Sequence, residues 1–275
     1  DYFYLPLLKI PTGIPWPKVF LTVALTLTII GALLSTKTLT GIEKNIAAAK
    51  EEARPASITI TKITTPNCIA CFRLGDAVAA LKKQNVSVSE EKAVIADSPE
   101  GQALIKQFGI KRLPTYIVTG EVTKETIAGF IKANGEVKNK TFVFAKVPPV
   151  FVDAATKKEM GKVTATILTD AACSQCIDPE LTVTALMNAG VKIIDKKKVA
   201  WNSAEGQRLI DQYAITKLPT FFLSAEIDLY DQVKTTWVQI GTVEKDTTYV
   251  ARNLFLPYRD LTKGQILGLV DLIYL

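Results

Sequence analysis

Four cysteines stand in two pairs of the form Cys-x-x-Cys, Cys68-Ile-Ala-Cys71 and Cys173-Ser-Gln-Cys176, in a chain of 275 residues. Two thiols with this spacing can run reversible disulfide chemistry. One thiolate attacks, and the second resolves the mixed disulfide that forms. The chain has no histidine, which removes Ser–His and Cys–His catalytic pairs and every zinc site that needs imidazole. Cysteines can instead be buried small hydrophobes, locked structural disulfides, or half of a Cys₄ metal site, which would need the two pairs to face each other. No metal and no cofactor is expected.

The elements that position the cysteines come twice. Residues 98–115 read SPEGQALIKQFGIKRLPT and residues 203–220 read SAEGQRLIDQYAITKLPT, with 11 of 18 positions identical at an offset of 105. The same offset relates Cys68 to Cys173, Cys71 to Cys176 and Pro114 to Pro219. Independent features that keep one spacing imply one fold, duplicated, and pairs at the same place in both copies argue against incidental cysteines. In each copy a β-branched run of period two (57–64, 162–169) predicts a strand. The cysteine pair follows, then a helix (72–84, 181–188), a strand (86–96, 191–200) and a helix (100–108, 205–213). Leu-Pro-Thr leads into a further strand (116–119, 221–224). This βαβαβ order predicts an α/β sheet. Past it, residues 230–238 predict a helix, and residues 241–252 a hairpin turning at Lys245-Asp246. The first copy has a similar run with a turn at Lys138-Asn139.

A cysteine between a strand and a helix would sit at the helix N-terminus. Free N–H groups and the macrodipole there favour a thiolate. On that logic Cys68 and Cys173 are the exposed, attacking thiols, and Cys71 and Cys176 the buried, resolving ones.

With Arg112-Leu-Pro-Thr115 and Lys217-Leu-Pro-Thr220 beside the cysteine pairs, the sequence resembles the thioredoxin superfamily over about residues 56–225, in a tandem layout similar to that of protein disulfide isomerases. The resemblance implies two tandem thioredoxin-like domains, each a central mixed sheet flanked by helices. It implies a cis peptide bond before Pro114 and Pro219, packed next to the cysteines. The backbone of Leu113 and Leu218 would then offer strand-type hydrogen bonds to an extended substrate. Departures are visible: Asn67 and Ala172 stand where the family commonly has tryptophan, and Lys62 and Ile167 where it has a buried acid.

The N-terminal part reads differently. Residues 19–35 carry no charge, lie between Lys18 and Lys37, and match the short end of a bilayer span, about 17–25 residues. Trp16 precedes them at headgroup position. The chain begins at Asp1, so a complete targeting signal is not read from these residues. The expected organisation is an arm at 1–18, a transmembrane helix at 19–36, a linker helix at 37–55, and domains at 56–153 and 157–275. Cysteine usage favours an oxidising compartment, hence a single-pass membrane protein with its bulk extracytoplasmic.

Net charge is +6, and its densest basic run, Lys196-Lys197-Lys198, is short and lacks interleaved aromatics, so no nucleic-acid partner is expected. The expected partners are thiols and disulfides of exported proteins, membrane lipid through residues 19–36, and a membrane protein complex. Two functions follow: a membrane-anchored thiol–disulfide oxidoreductase, or a non-catalytic thioredoxin-like subunit of a larger assembly held by structural disulfides.

Overall fold

The computed structural model describes residues 23–28, 43–253 and 255–269, and the chain divides into two units, Asp1–Pro55 and Ala56–Leu275. In the first unit residues 23–28 and 43–53 are helical, the latter within the expected linker. The arm at 1–18 lies outside the described residues, as does all of the expected span 19–36 except 23–28. Among the described residues no helix is long and apolar enough to cross a membrane.

The second unit is built twice from one pattern. The first repeat runs β1 (Ala56–Thr64), α1 (Leu74–Lys82), β2 (Val86–Ile95), α2 (Pro99–Phe108), β3 (Arg112–Leu113), β4 (Thr115–Gly120), α3 (Glu125–Asn134), β5 (Gly135–Lys138), β6 (Thr141–Phe144), β7 (Phe151–Asp153) and β8 (Glu159–Met160). The second runs β9 (Val163–Thr169), α4 (Glu180–Asn188), β10 (Ile193–Ala200), α5 (Ala204–Tyr213), β11 (Lys217–Leu218), β12 (Thr220–Leu223), α6 (Asp231–Thr236), β13 (Gly241–Val243), β14 (Tyr249–Ala251), β15 (Tyr258–Asp260) and β16 (Gln265–Leu267).

Each repeat holds a five-stranded mixed sheet, ordered β2-β1-β4-β6-β5 and β10-β9-β12-β14-β13, and a three-stranded sheet, ordered β3-β7-β8 and β11-β15-β16. The first strand of each repeat lies inside the sheet, second in the order, parallel to one neighbour and antiparallel to the other. Its side chains go to both faces, as the period of two requires. Ile58 and Ile60 meet Leu74, Val78 and Leu81 of α1 with Ile127 and Ile131 of α3. Ile63 meets Phe108 of α2, Ile110 and Ile117. The architecture is mixed α/β with sheets flanked by helices, consistent with the thioredoxin-like expectation. Strand β8 pairs with β7, so the first repeat's small sheet runs on to Met160, past Asp153.

The most similar stretch of the two repeats is a helix-start device. Ser98 accepts from Gly101 N–H at 3.1 Å and Ser203 from Gly206 N–H at 3.0 Å, capping α2 and α5. A Cβ on Gly101 or Gly206 would lie 2.2 Å from the carbonyl oxygen of Ile95 or Ala200, so only glycine lets the helix start so close to the preceding strand. Gln102 and Gln207 donate back to the Ala96 and Trp201 carbonyls at 2.7 and 2.9 Å.

The repeats pack on each other within their unit. Leu229 joins the first repeat's core. Gly161 N–H donates to the Glu226 carboxylate, and the Tyr230 hydroxyl donates to the Gly161 carbonyl at 2.6 Å while accepting from Lys192 N–H at 2.9 Å.

Candidate redox sites

Both cysteine pairs are closed as disulfides, Cys68–Cys71 and Cys173–Cys176, each with 5.3 Å between Cα atoms. Each occupies a turn of its own rather than the start of a helix. Cys68 N–H donates to the Thr65 carbonyl at 3.1 Å and Cys71 N–H to the Cys68 carbonyl at 3.4 Å. The matching bonds, Cys173 to Asp170 and Cys176 to Cys173, are 3.1 and 3.2 Å. Helix α1 begins at Leu74 and α4 at Glu180. The expectation that Cys68 and Cys173 cap a helix is therefore corrected. The turn's own hydrogen bonds and the residues after it hold the cysteines one step upstream. The helices, whose field is strongest at their first turn, start six residues after Cys68 and seven after Cys173.

The residue after each pair is tied to the return strand. Phe72 N–H donates to the Val150 carbonyl at 2.7 Å, and Ile177 N–H to the Pro257 carbonyl at 3.3 Å. Those acceptors immediately precede β7 and β15. The two strands pair antiparallel with β3 and β11, with Leu113 opposite Val152 and Leu218 opposite Arg259. Flanking bonds, Ala154 N–H to the Lys111 carbonyl and Leu261 N–H to the Thr216 carbonyl, are both 2.8 Å. Antiparallel alternation then makes residues 113 and 218 members of hydrogen-bonded pairs. The backbone edge that the resemblance assigns to a visiting polypeptide is taken, in both repeats, by the chain itself.

Leu113–Pro114 and Leu218–Pro219 are cis, as expected, and all four residues are buried. The next residue anchors each loop: Thr115 donates to the Phe144 carbonyl and Thr220 to the Ala251 carbonyl, both at 2.6 Å. In the second repeat the cysteines and the proline loop meet directly, because the Cys176 sulfur lies 3.9 Å from the Leu218 carbonyl oxygen.

Exposure separates the two pairs. Cys68 is half-buried and Cys71 only 9 % exposed, as expected. In the second pair the order is reversed: Cys173 is 6 % exposed and Cys176 is half-buried. The reversal goes with a buried carboxylate at the end of β9. Asp170 accepts from Ala172 N–H at 3.1 Å, from the Trp201 indole at 3.1 Å and from the Arg259 guanidinium at 2.5 Å. Its carbonyl also holds Cys173, so the first half of the turn is drawn inward.

Sequence reasoning missed Asp170 and Arg259. The signal was available in part, since Thr65 and Ala96 stand where the second repeat has Asp170 and Trp201. Lys62, six residues before Cys68, is engaged elsewhere, at 2.8 Å from Glu91. Lys62 and Lys82 together hold the Glu91 carboxyl below the ordinary carboxylate range. Among the described residues no group of three or more histidine, cysteine or acidic side chains could hold a metal.

Compared with known proteins, the chain matches no family model and no curated protein. Among solved structures it superposes on an N-terminal domain of alkylhydroperoxide reductase AhpF from Enterococcus faecalis at TM-score 0.21, with 11 % identity over 67 % of this chain and 89 % of that one. A cysteine-to-alanine variant of AhpF from the same organism gives TM-score 0.20 and 12 % identity over 67 % of this chain and 88 % of that one. Likeness at that level carries no conclusion about fold or activity, and the assignment rests on the residues of this chain.

Proposed function

We propose that the chain is a thioredoxin-like thiol–disulfide oxidoreductase that exchanges disulfides with polypeptide thiols of exported proteins in an oxidising compartment, tethered there through residues 19–36. The observation that carries the reading is the asymmetry of each pair, one cysteine half-buried and its partner buried, with Cys176 set against the cis-proline loop in the second repeat. A substrate thiolate attacks the reachable sulfur, Cys68 or Cys176. A substrate–protein disulfide forms, the Cys–Cys bond breaks, and the buried cysteine leaves as thiolate. A second substrate thiolate then attacks the substrate sulfur of the mixed disulfide. The substrate leaves oxidised, and the pair holds the two electrons as a dithiol. The reverse sequence reduces a substrate.

Specific observations favour a second reading, a non-catalytic platform within a membrane assembly. The edges at Leu113 and Leu218 are already paired, and neither first cysteine is the cap of a helix. Replacing the buried partner separates the two readings. Cys71→Ser and Cys173→Ser leave Cys68 and Cys176 as lone thiolates that can attack a polypeptide disulfide and release one of its sulfurs as thiolate but have no second cysteine to resolve the adduct. Under the first reading each variant therefore accumulates mixed disulfides with a disulfide-bonded polypeptide, seen as shifted bands on a non-reducing gel. No adduct from either variant would leave the platform reading.

A further inference from the structure

The second repeat carries a recess beside its disulfide that the first repeat has filled. It has a volume of about 90 Å³ and is bounded by Ile177, Pro219, Phe221, Ala251, Phe255 and Tyr258, among others. The corresponding place in the first repeat is recognised by shared backbone bonds. Phe72 corresponds to Ile177, since each donates to the residue just before the return strand. Phe144 corresponds to Ala251, since each accepts from the threonine after the cis-proline. In the first repeat Phe72 stacks on Phe144 with centroids 6.2 Å apart, and Phe144 on Tyr116 at 4.9 Å. In the second, isoleucine and alanine replace the two phenylalanines, and the recess is left beside Phe221.

The recess adjoins chemistry. Pro219 forms part of its wall, and the preceding carbonyl, of Leu218, is 3.9 Å from the Cys176 sulfur. Its mouth is apolar and exposed: Phe255 is 75 % and Leu256 56 % exposed, with Leu181 and Ile177 nearby in sequence at 67 % and 39 %. Large apolar groups left in water next to a small apolar recess mark a contact surface. The neighbouring backbone edge at Leu218 is occupied by Arg259. Recognition at this disulfide therefore has a side-chain pocket to work with and no free strand edge.

We infer that this recess takes one aliphatic side chain of a cysteine-bearing polypeptide, so that Cys173–Cys176 selects thiols with an apolar neighbour while Cys68–Cys71 does not. The inference rests on the exchange reading above and names the substrate class of its second site.

The test uses the full chain and two reduced dithiol peptides, one with leucine beside its cysteine and one with serine there. Dithiothreitol serves as the small-thiol reference. Mass spectrometry follows reduction of each pair separately. Burying one leucine side chain supports a rate ratio of about tenfold or more, leucine over serine peptide, at Cys173–Cys176, and a ratio near one is expected at Cys68–Cys71. Ala251→Phe, which restores the first repeat's residue, should bring the ratio at the second pair toward one. So should Phe255→Ser, an exposed change that decides the matter if Ala251→Phe does not fold. Equal rates for the two peptides at the second pair, with dithiothreitol reducing it normally, would overturn the recess and leave the exchange reading standing. So would a wild-type ratio retained in both variants. Failure of every thiol, dithiothreitol included, to reduce either pair would overturn the exchange reading itself.

Discussion

The Arg259 guanidinium donates to the Asp170 carboxylate at 2.5 Å, which links the strand covering Leu218 to the turn that carries Cys173. The Asp170 side chain is 0 % exposed and Arg259 is 18 % exposed. The first repeat has Thr65 and Val152 in the same two places, so one disulfide is set beside an ion pair and the other beside a threonine and a valine.

Removing one partner of such a pair leaves a buried charge alone, which costs about 3–5 kcal/mol, whereas replacing both can be neutral. Arg259→Met is expected to destabilise the chain by about 3 kcal/mol in urea denaturation. The double change Asp170→Thr with Arg259→Val, which copies the first repeat, should recover most of that loss. Additive losses would show that the two residues act independently.

Accessibility orders the four sulfurs. After full reduction, a short pulse of iodoacetamide should alkylate Cys68 and Cys176 ahead of Cys71 and Cys173, by mass spectrometry. The first-cysteine rule, under which Cys68 and Cys173 react first, would be restored by the opposite pattern in the second pair.

The self-paired edges have a readout that needs no substrate. If Leu113–Val152 and Leu218–Arg259 are hydrogen-bonded pairs, these four amides exchange slowly with solvent, as the inner strands do. Rapid exchange at all four would mean that the edges open readily and stand available to a visiting strand.

Tyr116 is fully buried and its hydroxyl has no hydrogen-bond partner among the described residues; burial pushes its pKa well above the ordinary phenol range. The second repeat has Phe221 there. Tyr116→Phe removes the unsatisfied group without leaving a void, so it should be neutral or stabilising by up to about 1 kcal/mol in thermal or urea unfolding. A loss above that would point to a partner for the hydroxyl.

Glu180 is held by Lys198 and Lys196, which draw its carboxyl from an ordinary 4.5 down to about 2. A folded-state pKa below the unfolded one means the contribution is present above about pH 4.5 and is lost as pH falls toward 2. An NMR pH titration should find the Glu180 carboxyl still charged at pH 3. Glu180→Gln should flatten the stability profile between pH 4.5 and 2 relative to the parent.

How much of this was legible in the sequence follows from what carried the signal. The duplication was readable because Ser98, Gly101, Gln102 and Thr115 and their partners in the second copy each satisfy a local backbone demand that fixes residue type, the strands from their period of two, and the cis-prolines only through the family resemblance carried by Leu-Pro-Thr. The first helix of each copy was read to within two residues of its start, 72 and 181 against Leu74 and Glu180, but the helix-cap role of Cys68 and Cys173 does not hold. Periodicity reports a helical face but not whether a turn intervenes, and Phe72 and Ile177 commit their N–H groups to strands far along the chain. The return strands were the least legible. Each is three residues long, and the offset between the copies drifts from 105 at the cysteines to 107 where Val152 meets Arg259's position. The partners of Leu113 and Leu218 could not be paired by repeat alignment. The Asp170–Arg259 contact depends on that pairing and was hidden with it.

The most direct test of thiol exchange at the two pairs is a redox titration of the full chain against a dithiothreitol buffer series, with thiol trapping and mass-spectrometric counting at each pair. Both pairs are expected to titrate as two-electron couples within the range of exchange proteins, about −120 to −270 mV. Two couples that both stay oxidised below about −300 mV would make them structural bridges and contradict exchange at either site.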